Sequence, residues 1–182
     1  MIIMLEPMPH SAISAQGAAS RPAAAGSRPG TYVLLLRLRA SADVAVGRLG
    51  RHRFPKGWYV YVGSALGGVD QRVARHVRSS PVRRWHIDYL RAVAPIREVA
   101  VIYSDVRLEC AIAGDFLRRP GAGVMAPRFG SSDCRCPTHL VHFRQRPALA
   151  LLGSEWSGRS VRRAAGGTAG YSPSRSYADA RT

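Results

Sequence analysis

The chain has 182 residues, and its 27 basic and 11 acidic side chains give a formal net charge of +16 at pH 7. This length is enough for one domain with a substantial hydrophobic core. The charge predicts a polyanionic partner, above all nucleic acid, and disfavours an enzyme for acidic metabolites. Because Lys56 is the only lysine among the basic residues, the arginine excess is also typical of compositional bias in a genome.

Membrane insertion and secretion are both disfavoured. No apolar run approaches the roughly 20 residues of a transmembrane helix. Residues 1–5 are apolar but lack the basic flank of a signal peptide. The three cysteines, Cys110, Cys134 and Cys136, are too few and too unevenly spaced for a disulfide framework. We therefore expect a cytoplasmic, nucleoid-associated protein without a membrane partner.

Composition divides the chain into three parts. Residues 1–29 and 147–182 are rich in small, polar and proline residues, which predicts a disordered N-terminal tail and a flexible basic C-terminal tail. Residues 30–146 contain 20 basic and 8 acidic side chains, so most of the net charge belongs to the predicted domain itself.

Hydrophobic periodicity predicts a mixed order of strands and helices within this domain. We predict strands over 31–38, 58–62, 99–103 and 138–143, and helices over 69–77, 85–93 and 108–117. The first strand is apolar enough for the centre of a sheet. The result is a small α+β domain in which helices pack on a sheet.

The helix over 69–77 carries two parallel rows. Val69, Val73 and Val77 make an apolar row, and Arg72 and His76 lie one turn apart beside it. This pair could handle a phosphate and a proton at the edge of a cleft, but the spacing alone is equally typical of a solvated helix face.

Tyrosines mark the two apolar strands. Tyr32 lies in the first strand, and Tyr59 and Tyr61 share one face of the second. A core position with a hydrogen-bonded hydroxyl is the alternative for each.

Two further clusters contain candidate ligands. Cys134, Cys136 and His139, with Cys110 elsewhere, offer the soft donors of a structural Zn²⁺ site, although the Cys-x-Cys spacing is tight. The alternative is that Cys110 packs as a small hydrophobic residue and His139 belongs to the last strand.

His86 and Asp88 are a second pair of polar residues close in sequence. They would point about 200° apart on a helix and are not a natural dyad. Asp88 could instead cap that helix or orient His86.

Several blocks of the sequence, taken in order, resemble a known superfamily. Gly30-Thr31-Tyr32, Tyr61-Val62-Gly63, Arg72 with His76, and Glu109 resemble the motifs of GIY-YIG nucleases. The segments YVYVGSALGG, RVARHVR, RWHIDYL, LECAIA and FGSSDCRCPTHL are similar to an uncharacterised branch of it, DUF123, some members of which are joined to endonuclease III-like repair enzymes. The resemblance spans roughly residues 30–143.

This resemblance implies a central three-stranded antiparallel sheet flanked by helices, and it implies roles for five residues. Tyr32 and Tyr61 would position or deprotonate the attacking water, and His76 would serve as general base. Arg72 would stabilise charge on the scissile phosphate, and Glu109 would bind one divalent metal, Mg²⁺ by preference.

The sequence also departs from the superfamily pattern. Tyr32 and Tyr61 are 29 positions apart, much farther than is usual, so residues 39–57 must form a loop or an extra hairpin. Gly63 is kept, but Ser64 stands where many relatives have lysine, and the chain contains no asparagine. The roles of the lysine and the asparagine that this chain lacks could pass to His86, Asp88 or Asp133.

The sequence therefore predicts a metal-dependent DNA endonuclease acting in repair or recombination, with a DNA-repair protein as an expected partner. The alternatives are a non-catalytic nucleic-acid-binding module of the same fold and an interaction domain stabilised by zinc.

Overall fold

The computed structural model describes residues 28–78, 82–149 and 161–165. In chain order the elements are β1 (Gly30–Leu38), β2 (Ala42–Ala45), a 3₁₀ turn (Gly47–Leu49), β3 (Arg51–Phe54), β4 (Gly57–Ala65), α1 (Val69–Val77), α2 (His86–Arg91), β5 (Ile96–Tyr103), α3 (Glu109–Arg118), β6 (Leu140–Phe143) and β7 (Val161–Ala165).

The main sheet is antiparallel and has β1 near its centre. Its five strands lie in the order β6-β4-β1-β5-β7. The α+β class is confirmed, but a three-stranded sheet is too small, because β6 adds a strand beside β4 and β7 adds a strand beside β5. The pairing of β1 with β4 places Tyr32 opposite Gly63 and Thr31 opposite Ser64.

Both faces of this sheet are buried, which explains why β1 is almost continuously apolar. One core includes Tyr32, Leu34 and Leu36 from β1 with Val69 and Val73 of α1. The alternate β1 residues belong to a second core on the opposite face, which α3 covers. Successive residues of β1 and β4 therefore contribute to different sides of the sheet.

Residues 39–57 contain the hairpin of β2 and β3, one of the two predicted alternatives. Phe54, at the end of β3, is fully buried and makes edge contacts with Tyr59 and Phe129. The long connection between the two tyrosine strands thus adds to the core on the face that carries Tyr32.

Most helix bounds agree with the sequence prediction, and α2 differs most. The helix predicted over 85–93 covers only His86–Arg91. Asp88 accepts hydrogen bonds from the backbone N–H groups of Arg84 (2.9 Å) and Trp85 (3.1 Å), which fixes the start of the helix one residue later.

The described structure includes residues on the far side of both predicted domain boundaries. The carbonyl of Arg28 accepts a bond from Val69 N–H (2.9 Å), and Leu149 is buried. Strand β7 also lies inside the predicted C-terminal tail. The remainder of both predicted tails lies outside the described residues. None of the helices described is long and apolar enough to cross a membrane.

Candidate functional site

A cleft of about 620 Å³ opens at the end of the sheet where β1 begins and β4 ends. It lies at the opposite end of these strands from the β2–β3 connection. The predicted site residues that line it are Tyr32, Tyr61, Gly63, Ser64, Arg72, His86, Glu109, Asp133 and His139. Two predicted residues, His76 and Asp88, are buried behind its wall.

The two tyrosines lie side by side on adjacent strands. Their ring centroids are 6.2 Å apart. Gly63 makes this possible, because a Cβ at that position would lie 2.6 Å from the Tyr32 hydroxyl oxygen. Burial raises the pKa of Tyr32 to about 12 and, together with the neighbouring Tyr32, raises the pKa of Tyr61 well above 10.0. Both phenols are therefore protonated at neutral pH.

Tyr32 connects the cleft to a buried histidine. Its hydroxyl oxygen lies 2.9 Å from Nε2 of His76, which is fully buried, and Nδ1 of His76 lies 3.4 Å from Asp88 Oδ1. A carboxylate facing Nδ1 favours the tautomer with its proton there, so Nε2 accepts the bond that the Tyr32 hydroxyl donates. His76 therefore reaches the cleft through Tyr32 rather than at the cleft edge beside Arg72, where the helical spacing had placed it.

Asp88 organises the cationic groups around this histidine. Arg75 lies 3.1 Å and Arg91 3.6 Å from its carboxylate. Burial acts to raise the pKa of Asp88, but the neighbouring His76 imidazole and hydrogen bonds from the Arg84 backbone, Arg75 and the Trp85 backbone hold it well below 3.8. Burial is also the main reason that the pKa of His76 is lowered from 6.5. The prediction that His86 and Asp88 form no dyad agrees with this geometry, because Asp88 faces His76.

Arg72 lines the cleft and is positioned by Trp85. Its guanidinium carbon lies 4.2 Å from the centroid of the Trp85 ring, and Arg75 contacts the same ring at 4.1 Å. The His76 ring packs edge-on against Trp85. Such stacking restricts a flexible side chain while leaving its N–H donors available for an anion.

The carboxylate of Glu109 enters the cleft from the other face of the sheet. Glu109 is the first residue of α3, and Ser64 donates a hydrogen bond to its Oε2. The Ser64 hydroxyl in turn lies 2.8 Å from that of Thr31, which accepts a bond from the N–H of Leu108 (3.2 Å). Ser64 thus fixes the carboxylate to the sheet.

The other candidate residues complete the wall of the cleft. Arg107 lies 3.3 Å from Asp133 and 4.0 Å from Glu109, and it links the two carboxylates. His86 accepts a hydrogen bond at Nδ1 from the N–H of Gly130 (3.1 Å). Burial lowers the pKa of His86 from 6.5, so this imidazole is neutral at pH 7.

The three cysteines and His139 meet beside this wall. Their four ligand atoms all lie within 4.8 Å of one another, and this cluster could hold a metal ion. The structure therefore brings together the residues of the predicted zinc alternative, although they come from α3 and from the loop before β6.

Sequence reasoning missed Arg84, Arg107 and the role of Trp85 as a support for Arg72, all of which line the cleft. It also missed Thr31, which is buried beneath the cleft and contacts the Ser64 hydroxyl. Thr31 and Trp85 stood within the motif blocks, but their partners are distant in sequence. Arg107 lies two positions before Glu109, and this proximity was the available signal.

These features define an α+β domain with a cleft that combines paired tyrosines, an arginine and a carboxylate. The chain matches the model of the family described as domain of unknown function DUF123 over residues 31–156 and belongs to that family. Neither a curated protein nor a solved structure matches it.

Proposed function

We propose that this protein is a metal-dependent endonuclease that hydrolyses phosphodiester bonds in DNA, in repair or recombination, and that its family is a branch of the GIY-YIG nucleases. The observation that carries the proposal is the convergence of Tyr32, Tyr61, Arg72 and Glu109 on one cleft. Each comes from a different strand or helix, and these are the groups that the superfamily resemblance assigns to the reaction.

The charge of the cleft supports a phosphate-containing substrate. Arg72, Arg84 and Arg107 line it, alongside Glu109 and Asp133. Arginine presents a planar set of donors that matches phosphate oxygens in pairs. DNA is proposed as the substrate because the domain as a whole is strongly basic.

The donor set in the cleft fits a hard divalent cation such as Mg²⁺. The Glu109 side chain is 12 % exposed; Ser64 donates a hydrogen bond to Oε2, and the guanidinium of Arg107 lies 4.0 Å from Oε1. One carboxylate together with waters and substrate phosphate is a common Mg²⁺ environment. When bound at Glu109, such a cation would neutralise charge on the phosphate and on the leaving oxygen.

The protein's own groups account for activation of water. With its proton donated to His76, the Tyr32 oxygen can accept a hydrogen bond from water in the cleft. As the water oxygen attacks phosphorus, its proton passes to Tyr32 and the Tyr32 proton passes to Nε2 of His76. Asp88 stabilises the imidazolium that results, as a carboxylate does in a serine hydrolase triad.

The other steps of the proposed reaction take place at the phosphate. Arg72 stabilises the charge that accumulates on the non-bridging oxygens. The bond from phosphorus to the leaving oxygen breaks, that oxygen takes a proton from solvent, and His76 later returns its proton to solvent through Tyr32. The products are a phosphomonoester end and a hydroxyl end.

The test is cleavage of labelled duplex, flap and branched DNA by the full chain with Mg²⁺, with Mn²⁺ and with chelator. We expect metal-dependent cleavage by the wild type and none by Glu109→Ala or Glu109→Gln, both of which should retain folding and DNA affinity. Asp105→Ala, an exposed carboxylate four positions earlier, is the matched control and should cleave normally.

The competing function is a non-catalytic nucleic-acid-binding module, favoured by the absence of asparagine and by Ser64. Salt-dependent binding without cleavage on every substrate would support it and overturn the nuclease proposal. Equal cleavage by wild type and Glu109→Gln would remove Glu109 from the mechanism.

A further inference from the structure

A cluster of soft ligands lies outside the proposed chemistry, at the junction of α3 and the loop that precedes β6. Cys110 lies in the first turn of α3, and Cys134, Cys136 and His139 come from the loop. Nε2 of His139 lies 3.5 Å from Sγ of Cys134 and 3.7 Å from Sγ of Cys110.

These distances match a tetrahedral metal site. With Zn–S about 2.3 Å and Zn–N about 2.0 Å, the edges of a tetrahedron are about 3.8 Å between sulfurs and about 3.5 Å between nitrogen and sulfur. No two ligand atoms of the cluster lie more than 4.8 Å apart, which is about an ångström longer than such an edge. The four ligand atoms are therefore already close to the arrangement that a bound metal ion requires.

Hydrogen bonds to backbone carbonyls fix the conformation of this loop. Arg128 adopts a positive φ of 63°, and its guanidinium donates hydrogen bonds to the carbonyls of Cys134 (2.5 Å) and Cys136 (3.4 Å). The N–H of His139 donates to the carbonyl of Phe129 (2.8 Å). These bonds hold three ligands of the cluster together although residues 119–139 form neither a helix nor a strand.

We propose that Cys110, Cys134, Cys136 and His139 bind one Zn²⁺ ion as a structural site that joins the loop to the start of α3. Three thiolates and an imidazole are a donor set that zinc prefers and that Mg²⁺ does not. Four protein ligands leave no open coordination position, which is the arrangement of a structural rather than a catalytic zinc.

The proposed zinc site lies directly beside the cleft. Cys110 directly follows Glu109, Cys134 directly follows Asp133, and His139 lines the cleft. Zinc would therefore fix the wall that presents both carboxylates. Because the proposal concerns metal content and stability, it stands independently of whether the cleft cleaves DNA.

The first experiment measures zinc in the full chain, expressed without a polyhistidine tag, purified under reducing conditions and dialysed against buffer containing Zn²⁺ and then against metal-free buffer. Elemental analysis should give one zinc per chain. Cys134→Ser, Cys136→Ser and His139→Asn should each reduce the retained zinc at least tenfold. Ser132→Ala, in the same loop, and His52→Gln, in β3, are the matched controls and should retain one zinc.

A second measurement covers the case in which ligand variants fail to fold. Wild-type protein reconstituted with Co²⁺ should show the visible absorption of tetrahedral cobalt and the ultraviolet charge-transfer band of thiolate ligands. Retained zinc below a tenth of the protein concentration and no thiolate band would overturn the site. So would a Cys134–Cys136 disulfide in freshly isolated protein, or iron with sulfide in place of zinc.

Glu109→Gln separates this proposal from the nuclease proposal. That variant should retain one zinc per chain while losing cleavage. Wild-type protein that holds zinc without cleaving DNA would refute only the nuclease, and wild-type protein that cleaves DNA without holding zinc would refute only the zinc site.

Discussion

The hydroxyl oxygen of Tyr32 lies 2.9 Å from Nε2 of His76, 44 positions later in the chain. Because His76 is fully buried and Tyr32 faces the cleft, the hydroxyl is the point at which a buried proton acceptor reaches solvent. The contact joins the central strand to α1, so the same packing that forms the core also aligns the proposed proton path.

Tyr32→Phe should reduce cleavage by about 100-fold or more, because it removes the group through which water would pass its proton. It should also lower the free energy of unfolding by about 1–3 kcal/mol, since Nε2 of His76 is left buried without a partner. Single-turnover cleavage and urea unfolding measure the two effects.

The matched control for Tyr32→Phe is Tyr59→Phe. Tyr59 shares the tyrosine-bearing face of the sheet and donates a 2.6 Å hydrogen bond to the carbonyl of Pro55. This variant should lose stability but keep its cleavage rate. Equal cleavage by both variants would contradict the proposed role of Tyr32.

Gly63→Ala should displace the Tyr32 ring, because the new Cβ would lie 2.6 Å from the Tyr32 hydroxyl oxygen. We expect a loss of about 1–3 kcal/mol in the free energy of unfolding, as is typical of overpacking, and at least a tenfold slower cleavage. Gly67→Ala, at a position with nothing within 4 Å of the added Cβ, should match the wild type in both measurements. Wild-type stability in Gly63→Ala would show that Tyr32 can move at no cost.

Arg72→Lys should keep DNA affinity within about threefold but slow cleavage by about 100-fold, because an ammonium cannot reproduce the planar fork that Trp85 orients. Affinity is measured by fluorescence anisotropy in Ca²⁺, and cleavage is measured in Mg²⁺. Arg78→Lys, at the exposed end of the same helix, is the control. A variant that loses affinity and rate to the same extent would indicate that Arg72 only binds DNA.

Asp88→Asn should destabilise the fold by about 3 kcal/mol at neutral pH, because Arg75 and Arg91 lose their partly buried counter-charge. The folded-state pKa of Asp88 lies below its ordinary 3.8, so its contribution is complete above pH 3.8 and is lost as pH falls below that value. Urea unfolding of both proteins should therefore give curves that converge in acid.

Asp43→Asn is the control for Asp88→Asn, since the pair of Asp43 with Arg53 is exposed. It should change stability by less than about 1 kcal/mol. A difference between wild type and Asp88→Asn that stays constant below pH 3.8 would contradict the lowered pKa.

The local parts of the fold were predictable from sequence. The apolar run of β1 indicated a central strand, and the valine row of α1 indicated the buried face of that helix. Both patterns could be read because each lies within a single strand or helix. The bounds of α1 agree with the predicted helix over 69–77. The candidate residues Tyr32, Tyr61, Arg72 and Glu109 came from the superfamily resemblance rather than from any period.

The partners of these residues were not predictable, since each depends on how separate elements pack. Ser64 and Glu109 are 45 positions apart, and no local spacing relates them. His76 and Asp88 face each other only because α1 packs beside α2. Helical spacing placed His76 in the same row as Arg72, but it could not show that Tyr32 would fill the space between His76 and the cleft.

The register of β1 with β4 also explains how the chain accommodates a long connection between its two tyrosine strands. Thr31 and Ser64 lie opposite each other on one side of the sheet, and Tyr32 faces the other side, opposite Gly63. A slip of one residue in either strand would move that strand's hydroxyl away from Glu109 and onto the face that carries the tyrosines. The β2–β3 hairpin joins the opposite ends of these strands, where added length leaves that pairing untouched. We therefore expect the hairpin end of the ladder to tolerate an inserted segment and the cleft end to tolerate no change of register, and a foreign segment grafted at the tip of the hairpin would test the first expectation.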